Sequence, residues 1–205
     1  MTADKHVGER IRALRLAKGM TLQQVAAQTG LTASFLSQME RNLSGVTLSS
    51  LVSVSKALGV ALREIVTQPP QITPDTHQGE RQEYSVENVS LHYERLSASF
   101  PGSCLHALKI RIPKGYSSGF ESHAGEELLF VLSGDIEYTV DHKTYRLGAG
   151  DSMHIDSHRS HQIANGSDAT TEILWASTLP VFDDEILKNN PEVSQEGQVN
   201  FPESR

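Results

Sequence analysis

The first third of the chain repeats apolar residues at the spacing of α-helices. Val7, Ile11 and Leu14 recur every three or four residues, so they share one face of a helix. Similar spacing returns up to residue 66, with glycines or threonines at the boundaries, where these residues end or cap helices. The pattern predicts five short helices, with inward faces that include Leu22, Val25, Leu36, Met39, Leu48, Leu51, Leu58, Leu62 and Ile65.

Beyond residue 90 the pattern changes to short runs rich in β-branched and aromatic residues. Turn signals such as Pro-Gly, Ser-Gly-Asp and Asn-Gly-Ser separate these runs. Evenly spaced short strands are typical of a β-sandwich or jelly roll. The predicted strands are 91–96, 105–112, 127–132, 136–140, 143–147, 152–155 and 171–176.

A proline-rich segment and a change of charge separate the two patterns. Residues 68–74 contain three prolines, which cannot continue a helix and favour an extended linker. Residues 1–68 carry eight basic and four acidic side chains, a net charge of +4, whereas residues 69–205 carry ten basic and 21 acidic ones, a net charge of −11. This asymmetry indicates a polyanion partner for the basic part. We predict an α+β protein with an all-α head at 1–68, a linker at 69–84, an all-β domain at 85–182 and a polar tail at 183–205.

Composition narrows the class of protein further. The 205 residues are 38% hydrophobic and include one cysteine, Cys104, which excludes an intramolecular disulfide framework and suits a reducing cytoplasm. No apolar run approaches the ~18 residues that a membrane helix needs. Residues 1–6 lack the basic and apolar stretches of a signal peptide. We therefore expect a cytoplasmic protein that does not enter a membrane.

The helical segment contains a motif of DNA-binding proteins. The motif runs from Thr21 through a central Gly30 to Ser37-Gln-Met-Glu40, and Leu48-x-x-Leu51 and Ala57-Leu58 follow it. This pattern resembles the helix-turn-helix of lambda-repressor-like, or Xre-type, regulators over roughly residues 6–66. The resemblance implies that a helix over residues 32–41 protrudes and fits the major groove of DNA.

The same resemblance implies which side chains meet DNA. Gln38 is the best single candidate for reading a base, because its amide can donate and accept hydrogen bonds on adenine at once. The implied contacts to base edges or nearby phosphates are Thr32, Ala33, Ser34, Ser37 and Gln38, and the implied phosphate contacts are Arg12, Lys18, Gln23 and Arg41. Arg15 and Glu40 are expected to form a structural pair between helices. The alternative is a helical packing module that binds no DNA.

The β-domain carries two spaced motifs. They consist of Gly115, Glu121-x-His123-x-x-x-Glu127 and Gly134, and of Gly150 and His161-x-x-x-Asn165. Both are similar to the two cupin motifs, over roughly residues 100–178, and the resemblance implies a cupin jelly-roll barrel. Three positions depart from the family pattern, because Glu121 replaces the first histidine, Asp156 a proline and His158 a glycine.

Carried over residue by residue, the resemblance implies four metal ligands that converge in the barrel. They are Glu121, His123, Glu127 and His161. Two imidazoles and two carboxylates can hold Zn, Mn, Fe or Ni, and nothing in the sequence selects among these metals. The alternatives are a metal-free pocket, in which the same side chains bind an organic effector, and a satisfied hydrogen-bond cluster.

Five further side chains are candidates for the wall of an effector pocket. Cys104 and His106 alternate onto one face of a predicted strand with Leu108, Ile110 and Ile112. Tyr116, Met153 and Trp175 complete the set. The alternative is that these side chains only pack in the hydrophobic core, as most lone cysteines do.

A helix-turn-helix head joined to a cupin body resembles the bacterial Xre–cupin transcriptional regulators. The resemblance implies a homodimer on an inverted repeat of double-stranded operator DNA. A metal or a small-molecule effector in the barrel, such as an amino acid, peptide or polyamine, would control a metabolic operon, with repression as the expected direction. Two alternatives stay open: an enzyme with a facial triad of His123, Glu127 and His161, and a constitutive DNA-binding dimer with a structural barrel. We expect a regulator and not an enzyme.

Overall fold

The computed structural model describes residues 7–43, 46–66, 71, 73–81, 83–85, 91–100 and 102–182, apart from the side chains of residues 63, 84 and 85. The predicted tail at 183–205 lies outside the described residues, as do residues 69, 70, 72 and 82 of the predicted linker. In the described ranges, no helix has both the length and the apolar character needed to cross a bilayer.

In the described residues of the head, the chain forms four α-helices and one 3₁₀ turn. They are α1 (Val7–Ala17), α2 (Leu22–Thr29), α3 (Ala33–Glu40), α4 (Leu48–Leu58) and the turn Leu62–Glu64. The predicted fifth helix is therefore a single 3₁₀ turn. Pro69 and Pro70 follow a few residues later, and the residue before a proline disfavours the helical conformation. The helical core is the predicted one, with Ile11, Val25, Leu36, Met39 and Leu51 buried.

Side-chain caps define the turn between α2 and α3. Thr21 and Gln24 form the predicted capping box at the start of α2, with hydrogen bonds of 3.2 and 2.7 Å. Gly30 ends α2 at φ 72°, a left-handed conformation that favours glycine. Thr32 then caps α3, because its hydroxyl accepts from the Phe35 amide at 3.0 Å. The chain therefore reverses between the two helices within a few residues.

An ion pair connects α1 to α3. Arg15 Nε and Nη2 donate to the two carboxylate oxygens of Glu40 at 2.5 and 2.9 Å, and Arg15 Nη1 donates to the Met20 carbonyl at 2.8 Å. The Glu40 hydrogen bond raises the pKa of the Arg15 guanidinium. The pair is the predicted structural one, and it keeps the Glu40 carboxylate away from the outer surface of α3.

Within the part of the chain that the structure describes, nine strands in two antiparallel sheets form the β-domain. They are β1 (Glu83–Ser85), β2 (His92–Arg95), β3 (His106–Ile112), β4 (Glu126–Ser133), β5 (Asp135–Val140), β6 (Lys143–Gly148), β7 (Ser152–Asp156), β8 (His161–Ala164) and β9 (Thr171–Ser177). One sheet has the order β1-β2-β3-β9-β4-β7 and the other the order β6-β5-β8. The predicted α+β class and jelly-roll barrel are confirmed, and β1 and β8 are additions to the predicted strands.

The two faces of β4 differ in their surroundings. Glu127, Leu129 and Val131 point into the barrel and are buried. Leu128, Phe130 and Leu132 alternate with them on the outer face, where they are 42%, 40% and 43% exposed. Strand β4, which lies next to the edge strand β7 of the larger sheet, therefore presents an apolar stripe to the outside.

The connection between β3 and β4, residues 113–125, runs along β8, and we call it the ligand loop. Glu121 and His161 exchange two backbone hydrogen bonds of 2.9 and 2.8 Å. Asn165 anchors the start of the loop, because its amide group donates to the Ile112 carbonyl at 2.8 Å. Residues 121 and 123, which lie between two of the predicted strands, are therefore on a loop that is paired to β8.

The head packs directly on the ligand loop. The ring of Phe35 in α3 covers Gly119 so closely that a Cβ atom there would lie 2.6 Å from the ring. A Cβ atom on Gly30 would similarly lie 3.3 Å from the Ser122 hydroxyl. The predicted DNA-reading helix α3 and Gly30 in the turn before it thus contact the loop that carries two of the predicted metal ligands.

Candidate functional site

A cavity of about 60 Å³ lies inside the barrel beneath the head. Its wall combines aliphatic side chains of β3 and β9 with polar and aromatic groups: Tyr93, Tyr116, Glu121, Glu127, Tyr138, His161 and Trp175. Thr47, Leu48 and Ser49 of the head complete the wall. A space of this size has room for a metal ion with a few waters or for a ligand of a few heavy atoms.

Three buried side chains bring metal-ligating atoms together, and two of them, Glu127 and His161, line this cavity. The three are His123 on the ligand loop, Glu127 in β4 and His161 at the start of β8, with one ligand atom from each within 4.8 Å of the others. The two imidazole Nε2 atoms lie 3.6 and 3.8 Å from the Glu127 carboxylate oxygens. Two histidines and one carboxylate form the donor set of a facial triad, which leaves positions open on the metal.

Backbone carbonyls orient both imidazoles. His123 Nδ1 lies 3.2 Å from the Ala124 carbonyl oxygen, and His161 Nδ1 lies 2.8 Å from that of Arg159. A carbonyl only accepts, so in the neutral rings we assign the proton to Nδ1 and the free lone pair to Nε2. Nε2 of His123 is buried and makes no hydrogen bond. This buried, unpaired nitrogen beside a carboxylate fits a metal ligand.

The Glu127 carboxylate joins the two sheets. Tyr138 in β5 donates its hydroxyl to Glu127 Oε1, and Trp175 in β9 donates Nε1 to Glu127 Oε2 at 3.2 Å. Burial raises the pKa of Glu127, but His123, His161 and the Tyr138 hydrogen bond outweigh it, so the pKa lies below its usual value. Burial lowers the pKa of His123, whereas Glu127 and Glu121 raise it to a net value above the usual one. The carboxylate is therefore ionised and available to a cation.

Glu121, the fourth expected ligand, stands outside the triad. Its carboxylate points to the head, where Thr47 Oγ1 lies 2.9 Å from both oxygens and Ser49 Oγ lies 2.9 Å from Oε1. Burial raises the pKa of Glu121 above its usual value, against the opposing charges of His161 and His123. The structure therefore brings three of the four expected ligands together and holds the Glu121 carboxylate beside them through hydroxyl groups.

The expected pocket wall is only partly the observed one. Tyr116 and Trp175 line the cavity, and the Tyr116 hydroxyl is buried without a hydrogen bond. Cys104 is exposed, because β3 begins at His106 and the alternation does not reach it. His106 packs against Phe182, with ring centroids 5.3 Å apart, and Met153 packs on the core from the edge strand β7. These three residues are absent from the cavity wall.

Sequence reasoning missed Tyr93, Tyr138, Thr47 and Ser49. Tyr138 shares the inward face of its predicted strand with Ile136 and Val140, so alternation could have identified it. Thr47 and Ser49 reach the cavity only because the head docks on the barrel. No local pattern in the sequence signals that contact.

The residues expected to contact DNA lie at the surface of the head. Arg12, Lys18, Gln23, Thr32, Ser34, Gln38 and Arg41 are exposed, and Ala33 and Ser37 are half-buried. Arg41 Nε donates to the Ser37 carbonyl at 3.2 Å, which ties the guanidinium to the end of α3. The outer surface of α3 is therefore polar and open to a partner.

Two family models match the chain in separate regions. A helix-turn-helix model matches residues 11–65 and a cupin domain model matches residues 108–177. The HTH-type transcriptional regulator PuuR of Escherichia coli (strain K12) is 28% identical over 181 residues, which are 85% of this chain and 96% of PuuR. The uncharacterized HTH-type transcriptional regulator y4dJ of Sinorhizobium fredii is 38% identical over 74 residues, which are 36% of this chain and 95% of y4dJ.

A solved structure supports the two-domain fold. The crystal structure of an HTH_3 family transcriptional regulator from Vibrio cholerae has a TM-score of 0.52 and 20% sequence identity, and it covers 83% of this chain and 93% of its own. At 20% identity, this structural likeness supports the fold alone. The match to y4dJ is closer in sequence, at 38% identity, and it covers 95% of y4dJ. The chain therefore belongs to the HTH-type transcriptional regulators and joins a DNA-binding helix-turn-helix head to a cupin domain.

Proposed function

We propose that the barrel senses a bound metal or small molecule and that this occupancy controls operator binding by the head. One observation carries the proposal: two residues of the buried ligand triad and residues of the DNA-binding head line the same cavity. We propose that the protein represses a metabolic operon and that it acts in the cytoplasm. We also propose that the DNA-binding head ends at residue 68 and that the sensing domain begins at residue 85.

The head would read DNA through the exposed surface of α3. Gln38 would contact a base, with Thr32, Ala33, Ser34 and Ser37 beside it. Arg12, Lys18, Gln23 and Arg41 would contact phosphates and supply affinity without sequence information. The net charge of +4 on residues 1–68 supports a polyanion partner.

The triad would hold one divalent transition metal, with Zn, Mn, Fe and Ni as the candidates. His123 and His161 would bind through Nε2 and Glu127 through its carboxylate, while the Tyr138 and Trp175 hydrogen bonds would orient that carboxylate. A bound metal supplies a positive centre with open positions for a small ligand. An amino acid or a small amine fits the cavity volume better than a peptide does.

We propose regulation and not catalysis for this site. A facial triad supports either role, because fold and donor set alone do not define a reaction. The regulator relatives and the direct contact between the DNA-binding head and the cavity favour regulation.

A homodimer is the proposed assembly, with the apolar stripe of β4 as its interface. Leu128, Phe130 and Leu132 form a row that a second copy could cover around a two-fold axis. Such a dimer would set two α3 helices about 34 Å apart, the spacing of successive major grooves on one face of an inverted repeat.

Replacement of Gln38 tests the DNA-reading surface. We expect Gln38→Ala to weaken binding to a duplex selected by the wild-type protein by about 1–3 kcal/mol, because one bidentate base contact is lost. Fluorescence anisotropy on the selected duplex and on a scrambled one measures both affinities. Gln28→Ala, an exposed change in α2 outside the predicted contacts, should bind normally. Equal affinities for Gln38→Ala and wild type would refute this role.

Metal content tests the triad. We expect about one equivalent of a transition metal per chain in the purified protein, as a single three-ligand site requires. Glu127→Gln should lose the metal, whereas Glu126→Gln, exposed on the same strand, should keep it. Elemental analysis gives the content, and calorimetry should give a lower Tm after chelation. A metal-free protein that chelators leave unchanged would contradict the metal site.

Disruption of the β4 stripe tests the dimer. Phe130→Glu places a charge in the proposed apolar interface, so we expect sedimentation velocity to show a monomer that binds the inverted repeat more weakly. Phe100→Glu, also at an exposed phenylalanine, is the matched control and should stay dimeric. A dimeric Phe130→Glu variant would place the interface elsewhere.

A further inference from the structure

Among the described residues, two hydroxyl groups of the head donate across to one carboxylate of the barrel. Thr47 Oγ1 donates to both oxygens of Glu121, and Ser49 Oγ donates to Oε1, each over 2.9 Å. Glu121 is 8% exposed and Ser49 is 7% exposed, so water competes little for these bonds. A charged acceptor makes them stronger than bonds between neutral groups.

The N-terminus of α4 reinforces this contact. Thr47 is the N-cap of this eleven-residue helix, and its hydroxyl also accepts from the Ser50 amide at 3.0 Å. The first turn of a helix carries a partial positive charge, which favours a carboxylate next to it. Phe35 over Gly119 and Leu48 in the cavity wall add apolar contacts, and the Ser122 hydroxyl lies near Gly30. Glu121 is therefore a buried polar connection between the two domains.

The same carboxylate lies beside the triad. Glu121 and His161 are backbone partners across the ligand loop and β8, and both line the cavity. The charges of His123 and His161 already act on the Glu121 carboxyl group. A cation at the triad would attract this second carboxylate, and an oxygen bound to a cation is a poorer acceptor for the hydroxyls of Thr47 and Ser49.

We propose that Glu121 is a latch between the domains: it holds the head through Thr47 and Ser49 while the triad is empty, and a cation at the triad draws it away and releases the head. The inference rests on the proposed function, since it assigns the coupling step of the same site. Release of the head from the barrel would remove the fixed spacing of the two α3 helices in a dimer. The affinity of the dimer for its operator would fall because the two helices would no longer be held at the spacing of the two half-sites.

Two spin labels on the full chain test the latch. Cys104 is the single native cysteine and is exposed on the barrel, and Lys56→Cys adds a second thiol on an exposed position of α4. Labelled protein is diluted with excess unlabelled protein, so that a labelled chain pairs with an unlabelled one and the measured distance lies within one chain. Electron–electron double resonance then measures the distance between head and barrel with and without Zn²⁺, and titration calorimetry measures zinc binding in parallel.

We expect one narrow distance peak without zinc and a loss of that peak to a broad distribution with zinc. Ser49→Ala, which removes one latch donor, should broaden the distribution without zinc, and Glu121→Gln should do the same. Ser50→Ala is the matched control, because Ser50 is buried in the same turn but bonds to Thr47 and not to Glu121. It should retain the narrow peak and its response to zinc.

The outcomes separate the latch from the proposed function. Zinc that binds while the narrow peak persists would overturn the latch and leave the metal site intact. An unchanged narrow peak in both Ser49→Ala and Glu121→Gln would overturn the latch as well. Absence of zinc binding in calorimetry would overturn the metal site, and with it release by a cation, even if Ser49→Ala loosens the head.

Discussion

A carboxylate buried in an apolar cavity is costly unless donors or cations surround it, and this barrel contains two such carboxylates. Glu127 meets the requirement within the β-domain, through Tyr138, Trp175 and the two imidazoles. Glu121 has the two imidazoles nearby, but among the described residues its side-chain hydrogen bonds come from Thr47 and Ser49 of the head. The hydrogen bonds that stabilise the buried Glu121 carboxylate therefore also join the two domains.

The position of the cavity makes this junction useful to a regulator. A ligand in a closed barrel changes nothing outside it unless it interacts differently with two arrangements of the protein. Here the ligand loop carries Glu121 and His123 on one side and supports Phe35 and α4 on the other. Occupancy of the triad and docking of the head consequently act on the same few residues. A dimer through the β4 stripe would convert that local change into a change in spacing between two recognition helices.

Local patterns predicted much of this architecture, and long-range contacts account for the rest. Apolar spacing and caps such as Thr21 and Gly30 depend on near neighbours, so the helices of the head could be predicted. The motif spacing likewise identified His123, Glu127 and His161. The direction of Glu121 depends on a hydroxyl 74 residues away, which no local pattern reveals. Cys104 was misplaced because alternation alone does not fix where β3 begins.

The most direct test of domain coupling is the affinity of the protein for Zn²⁺, measured by calorimetry with and without its operator duplex. Coupling free energies are reciprocal, so a metal that releases the head must bind more weakly when DNA holds the heads at fixed spacing. We predict a lower zinc affinity on the operator and no difference on a scrambled duplex. Equal zinc affinities for the free and the operator-bound protein would contradict the account.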